Sequence, residues 1–375
     1  MGTAPSERPP PERDPMLGRV LAEKFTILSR LGEGAMGTVY RAKQSPIGRE
    51  VAVKILRSER ALDETSRARF LREARANSLL TSPNTVTVFD FGASEGGDFY
   101  LAMELLEGES LGQRLKRMGR LEPAAAIDTV RQALRSLAEA HAKGIIHRDL
   151  KPDNLFYARL RTNETYEEIV KVLDFGIAKM LRADEELEMN VVETQAGTVF
   201  GTPRYMSPEQ AQGKPLDARS DLYSLGVILY QMLTGRPPFT DDDAIVVMAR
   251  HIKTTPKPMS ESAPEAAVPP EIESAVMRML SKDPENRPQS ADAMSAELGR
   301  ARDSALSATS GVRVSLTEAK EVRVESRSPL VSQTFDDGRD GLSGHVPARP
   351  SRRWLVPAIV LVAVASAAGA LFVRN

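Results

Sequence analysis

Ile146-His147-Arg148-Asp149-Leu150-Lys151-Pro152-Asp153-Asn154, followed further on by Asp174-Phe175-Gly176, is the part of this 375-residue chain on which its reading turns. Around it, the bulk composition narrows the options. The chain carries 50 Lys+Arg against 51 Asp+Glu, a formal net charge of −1. Nucleic-acid binders held by a broad basic field are strongly basic, so no nucleic-acid partner is expected. Apolar residues make up 41%, enough for sizeable cores at this length. Cysteine is absent, which removes disulfides, thiolate metal sites and a cysteine nucleophile together. The mean hydropathy of −0.29 is that of an ordinary soluble protein.

Upstream, residues 1–18 hold Pro5, Pro9, Pro10, Pro11 and Pro15 and no apolar run, which predicts a solvated, disordered arm rather than a secretory signal. Strand-like segments follow at Phe25–Leu31, Thr38–Lys43 and Val51–Leu56, then at Val86–Phe91 and Phe99–Met103. A polar, helix-prone stretch from about Asp63 to Leu80 separates the two groups. Beyond Gly108 the pattern turns helical. Ile127, Val130, Leu134, Leu137 and His141 recur at helical spacing between Pro123 and Gly144. Ser220–Thr234 is apolar on nearly all sides and predicts a central, buried helix. Residues 19–299 thus read as one two-lobed α+β unit, β-rich over about 19–105 and α-helical over about 106–299.

Leu31-Gly32-Glu33-Gly34-Ala35-Met36-Gly37 has glycines in G-x-G-x-x-G spacing. Alone this is weak, because several phosphate-binding architectures share glycine-rich loops. Thr38-Val39 follows the last glycine where a P-loop needs Lys-Ser/Thr, and the β-branched and aromatic run Thr38-Val39-Tyr40 excludes a helix starting there. The loop therefore turns between two strands, either as a flap whose N–H groups cover phosphates or as a plain hairpin. Val51-Ala52-Val53-Lys54 then sets one lysine in an apolar strand, where it needs an anionic partner. Glu73 in the helix-prone stretch is the expected partner; two unrelated surface residues are the alternative.

With the His147–Asn154 and Asp174–Gly176 runs added, the sequence resembles the protein kinase superfamily, in the form of a bacterial, eukaryotic-like Ser/Thr protein kinase. The motifs occur in order over about 275 residues. The resemblance implies a two-lobed kinase fold, ATP and Mg²⁺ (or Mn²⁺) as cofactors, and transfer of the γ-phosphoryl group to Ser/Thr of protein substrates. It implies that Asp149 accepts the substrate hydroxyl's proton and that Lys151 neutralises charge on the transferring group. Asn154 and Asp174 would hold the metal, and Lys54, set by Glu73, the α- and β-phosphates. Residues 31–37 would cover the phosphates. Val39, Ala52 and Phe156 would sandwich adenine, Glu104 to Leu106 would face its edge, and Met103 is the gatekeeper position. Gly201-Thr202-Pro203 and Ser207-Pro208-Glu209 would bracket the substrate-docking segment, with Ser207 where Ala is commoner. Glu209 is expected to pair with Arg287, Asp221 to anchor the catalytic loop, and His141 to be a core residue.

Arg148 beside Asp149 suggests an activation loop ordered by phosphorylation, with Thr194 and Thr198 as the expected autophosphorylation sites. Two departures stand out. Arg159–Glu168 looks like an enlarged hairpin, and Asn77 is polar one turn after Glu73, so that Asn77→Leu is expected to raise basal activity. All six of Lys54, Glu73, Asp149, Lys151, Asn154 and Asp174 are present, which weighs against the alternative of a pseudokinase scaffold. The docking segment weighs against a small-molecule phosphotransferase.

Residues 300–353 lack periodicity and predict a flexible mixed-charge linker. Trp354–Val373 is twenty residues without a charge, about the thickness of a bilayer core as a helix, and is expected to be a transmembrane anchor. A buried helix of a soluble domain is the alternative. Arg352 and Arg353 before it place the kinase unit on the cytoplasmic side of the inner membrane. Ala365 and Gly369 form a small-xxx-small pair, which makes a homodimer an expected partner.

Overall fold

In β4 (Glu50–Leu56) alternate side chains point to opposite faces of the sheet, and that alternation organises the smaller lobe. Val51, Val53 and Ile55 join Phe25, Ile27 and Tyr100 on one face. Ala52 and Leu56 join Phe70, Phe99 and Met103 on the other. The computed structural model describes residues 14–34, 37–56, 64–94, 97–161, 165–175 and 203–314. Its first sheet is antiparallel, in the order β1-β2-β3-β4-β6-β5. The other strands are β1 (Val20–Leu21), β2 (Phe25–Gly34), β3 (Gly37–Gln44), β5 (Val88–Ala93) and β6 (Phe99–Glu104). Helix α1 (Glu64–Ser78) lies against the second face through Phe70 and Ala74.

The larger lobe is built from α2 (Leu111–Met118), α3 (Pro123–Ala142), α4 (Pro208–Ala211), α5 (Ala218–Thr234), α6 (Ala244–Lys253), α7 (Met259–Ser262), α8 (Pro270–Met279) and α9 (Ala291–Val314). A three-stranded sheet of β7 (Gly108–Ser110), β8 (Leu155–Arg161) and β9 (Tyr166–Val172) joins them. As its composition predicts, α5 is buried on nearly every face. Asp217 caps its start and Gly235, at φ 83°, closes its end. Gly226 lets α8 approach closely: a Cβ there would lie 2.7 Å from the Met279 Cβ.

Several boundaries differ from the expectation. Residues 14–18, assigned to the arm, dock on the smaller lobe: the Tyr40 hydroxyl donates to Asp14 at 3.0 Å and the Gly18 N–H to the Ile27 carbonyl at 2.9 Å. The strand expected at Val86 begins at Val88, because the Val86 N–H is taken by the Val172 carbonyl of the other lobe at 3.0 Å. Helix α9 runs fifteen residues past the expected domain end at 299, to Val314. Its packing on α3 carries it on, with Ala301 buried and Arg302 2.8 Å from Asp128. The enlarged hairpin is the β8–β9 pair, with Arg159 opposite Glu168. Residues 1–13, the rest of the linker and the Trp354–Val373 segment lie outside the described residues, and among the described ones no helix is long and apolar enough to cross a membrane.

The expected Glu209–Arg287 pair forms and is buried, with the guanidinium 2.7 and 2.9 Å from the two carboxylate oxygens. Burial pushes the Glu209 carboxyl up, but Arg287 and the Ser220 hydroxyl outweigh it and hold it below its ordinary value of 4.5. Arg287→Met leaves a buried carboxylate without its cation, and urea melts should show a loss of about 3 kcal/mol. Because the folded-state pKa is depressed, this contribution is complete well above 4.5 and fades as pH falls below it, so the gap between wild type and variant should narrow in acid.

Candidate active site

The loop between α3 and β8 is held by one buried carboxylate. Asp221, in the first turn of α5, accepts the His147 N–H at 2.8 Å and the Arg148 N–H at 2.9 Å. It thereby anchors the loop as the resemblance implies. His141, expected as a plain core residue, also reaches Asp221, Nε2 to Oδ2 at 2.8 Å. The His147 ring stacks obliquely on Phe175 at 4.7 Å between centroids, and its Nε2 meets the Leu173 carbonyl at 2.8 Å. Burial pushes the His147 pKa down, so the ring is neutral at pH 7.

On this frame the four loop and strand-end residues converge. Lys151 Nζ donates to Asp149 Oδ2 at 2.8 Å. Asn154 donates to the Asp149 carbonyl at 2.8 Å, and the Leu173 N–H to the Asn154 carbonyl at 2.9 Å. That last bond ties the loop to the segment that delivers Asp174. Arg148 and Asp174 both have left-handed backbones, at φ 64° and 52°, a strain characteristic of functional sites.

Lys54 is paired, though not with Glu73. Its ammonium lies 2.7 Å from Asp174 Oδ2, while Glu73 lies 3.4 Å from Arg72. Burial raises the Asp174 carboxyl and the Lys54 cation lowers it, with a net shift downward. Asn77 explains the position of α1. Its Nδ2 donates to the Phe175 carbonyl at 2.9 Å, which ties the helix to the Asp174 segment, while its Oδ1 is buried with no hydrogen-bond partner. The polar residue that departs from the family's apolar preference is therefore a tether.

The residues assigned to adenine lie on neighbouring strands. Val39 is opposite Lys54 in the β3–β4 ladder, and Ala52 is opposite Met103 in β4–β6. Val39, Ala52, Met103, Leu105, Leu106 and Leu173 share one apolar cluster. Phe156 lies on β8, two residues beyond Asn154. Gly37 is required as glycine: at φ 146° an added Cβ would lie 2.1 Å from the Ile55 carbonyl oxygen. Leu31, Gly32, Glu33 and Gly34 form the end of β2, and Leu31 is exposed. Ala35, Met36, Gly176, Thr194, Thr198, Gly201 and Thr202 lie outside the described residues.

Two further residues, to which the sequence reading gave no role in the site, belong to its frame. Lys171 on β9 is buried and places its ammonium 2.6 Å from Glu104 Oε1, the same oxygen that accepts the Thr87 N–H at 2.7 Å. Gln210 donates to the Arg148 carbonyl at 2.8 Å. Neither belongs to a motif quoted above, and a lone lysine in Tyr166–Val172 reads as a solvated strand residue.

A two-lobed fold with an Asp–Lys–Asn loop facing a Lys–Asp pair defines a phosphotransferase architecture. The protein kinase domain model matches residues 25–298, and the chain belongs to that family. It is 44% identical over 288 residues to the serine/threonine-protein kinase pkn3 of Myxococcus xanthus, across 77% of this chain and 52% of that one. It is 36% identical to the serine/threonine-protein kinase PknB of Mycolicibacterium smegmatis, across 91% of this chain and 53% of that one. The chain spans about half the length of these curated relatives. Among solved structures, the PknI kinase domain of Mycobacterium tuberculosis superposes with a TM-score of 0.58 at 24% identity, over 76% of this chain and 98% of that one, a likeness of fold.

The Lys171–Glu104 pair gives a test of the join between β6 and β9. Lys171→Met strands a mostly buried carboxylate and should lower stability by about 3 kcal/mol in urea melts, whereas adding Glu104→Leu should restore most of it. A double variant no more stable than the single one would show that the pair is not the interaction lost.

Proposed function

We propose that this protein is an ATP-dependent serine/threonine protein kinase. The observation that carries the reading is the convergence of Lys151 on Asp149, with Asn154 bonded to the same residue's carbonyl and Asp174 held by Lys54. The names of the relatives support the class of activity and the choice of acceptor. Asp149, through Oδ2, would accept the proton of an incoming Ser or Thr hydroxyl. Lys151, 2.8 Å from that oxygen, sets its direction and offers positive charge beside the transferring group. Lys54 would bind the nucleotide's α- and β-phosphates. Asn154 and Asp174 offer oxygen donors that suit a hard divalent cation such as Mg²⁺, with Mn²⁺ as an alternative, and such a cation keeps water and phosphate oxygens as its other ligands. When bound it would neutralise phosphate charge. The apolar cluster of Val39, Ala52, Met103 and Leu106 supports an adenine slot.

The reading extends to regulation and place. Thr194 and Thr198 are the proposed autophosphorylation sites, with Arg148 as the cation that would receive a phosphate. The uncharged stretch Trp354–Val373 after Arg352-Arg353 supports a single-pass anchor with the kinase unit in the cytoplasm, and Ala365 with Gly369 supports a helix-paired homodimer.

Residues 1–350 incubated with ATP and Mg²⁺ should incorporate phosphate, and Asp149→Asn should reduce this by about a hundredfold or more while nucleotide binding persists. Absence of transfer by the wild type under varied conditions would favour a pseudokinase scaffold instead. Mass spectrometry of the active protein should find Thr194, Thr198 or both modified; neither modified would refute that assignment. The full chain should stay with membranes after carbonate washing, and 1–350 should not.

A further inference from the structure

Arg148 immediately precedes Asp149, and its left-handed backbone at φ 64° is one that side-chain-bearing residues adopt only under constraint. The residue is held from both ends. Its N–H donates to Asp221 Oδ1 at 2.9 Å, and its carbonyl accepts from Gln210 Nε2 at 2.8 Å. The Arg148 carbonyl and the Asp149 N–H belong to one planar peptide, so a bond that fixes the carbonyl also fixes the direction in which the chain enters Asp149.

Gln210 is itself held. Its Oε1 accepts the Ser207 N–H at 3.0 Å, and its own N–H donates to Ser207 Oγ at 3.2 Å, a reciprocal capping box at the start of α4. These contacts admit one orientation of the amide. Turned over, it would set oxygen against the Arg148 oxygen and NH₂ against the Ser207 N–H. Ser207 is buried, and an alanine there could not close the box. Glu209, between the two, is locked by Arg287.

We propose that Gln210 is a positioning residue for Asp149, and that the Ser207 hydroxyl, by holding the Gln210 main-chain N–H, fixes the point from which that side chain reaches the loop. The chain Ser207–Gln210–Arg148–Asp149 then links the end of the docking segment to the group that receives the acceptor's proton. This explains the departure at Ser207 and gives the seated protein substrate a direct mechanical path to the reacting centre. It rests on the kinase reading above.

Gln210→Glu separates the two jobs of the side chain. The carboxylate keeps the length and the acceptor for the Ser207 N–H but has no proton to give the Arg148 carbonyl. Autophosphorylation of the full chain with ATP and Mg²⁺ should fall about tenfold in maximal rate, with the apparent KM for ATP within about twofold. The melting temperature should stay within about 2 °C. Ser207→Ala should lose about threefold, because the Ser207 N–H still meets Oε1 while the Gln210 main chain, from which the side chain starts, loses its Oγ partner. Hydrogen exchange should rise in the peptide covering residues 145–150 of Gln210→Glu and stay unchanged elsewhere in the larger lobe. A wild-type rate with unchanged exchange would overturn the proposal. So would a rate loss matched by a lower melting temperature and raised exchange across the lobe, which marks a merely structural residue. If the wild type itself transfers no phosphate, the kinase reading fails. The exchange data then decide alone: a rise confined to residues 145–150 supports the positioning role, and no rise overturns it.

Discussion

One carboxylate at the centre of the larger lobe sets everything that the site does. Asp221 is almost wholly buried, yet it takes hydrogen bonds from two consecutive backbone N–H groups and from His141 on another helix. A charge in that environment is tolerable only when its oxygens are so occupied, and bonds to an ion are the strong ones. Three separated stretches of chain are therefore drawn to a single point. The helix that carries Asp221 can hold it there because its other faces are apolar and because Gly226 lets the neighbouring helix close over it. Catalytic-loop geometry is in this sense a by-product of a helix that cannot move.

The two lobes meet through a different kind of contact. Lys54 on the sheet and Asp174, two residues beyond β9, satisfy each other, and the Asn77 tether holds α1 to the residue next to Asp174. Each partner has a proposed task with nucleotide or metal, and their pairing compensates both charges. The stranded Oδ1 of Asn77 is the cost of using an amide where a hydrocarbon would pack without loss.

What could be read from the sequence was whatever is local along the chain. Asp149, Lys151 and Asn154 fall within six residues, and the uniform apolarity of Ser220–Thr234 could only mean a buried helix. The strand-like runs Thr38–Lys43, Val51–Leu56 and Phe99–Met103 fall on central strands of the sheet. The partner of Lys54 was not legible, since Glu73 and Asp174 are both acidic and only three-dimensional reach chooses between them. Lys171 was hidden because a lysine in a strand usually points to water; here the Glu104 carboxylate waits on the inner side. Asn77 was seen as an exception but not as a tether, because its acceptor is a main-chain carbonyl ninety-eight residues away. Helix α9 was cut short for a related reason. Its Ser- and Gly-containing end reads as linker, and contact with α3 overrides that weak propensity.

The seam around residues 84–87 has a kinematic consequence. There the Val86 N–H bonds to Val172, the Val172 N–H to Asn84, the Lys171 ammonium to Glu104, and the Thr85 hydroxyl to Ser136. A row of short bonds along one edge behaves as an axle, and rigid bodies joined so can rotate about it but not slide past each other. Opening of the cleft is thereby converted into a swing whose amplitude grows with distance from the axle. It is smallest beside the axle at Met103, so the back of the cleft keeps a constant gauge.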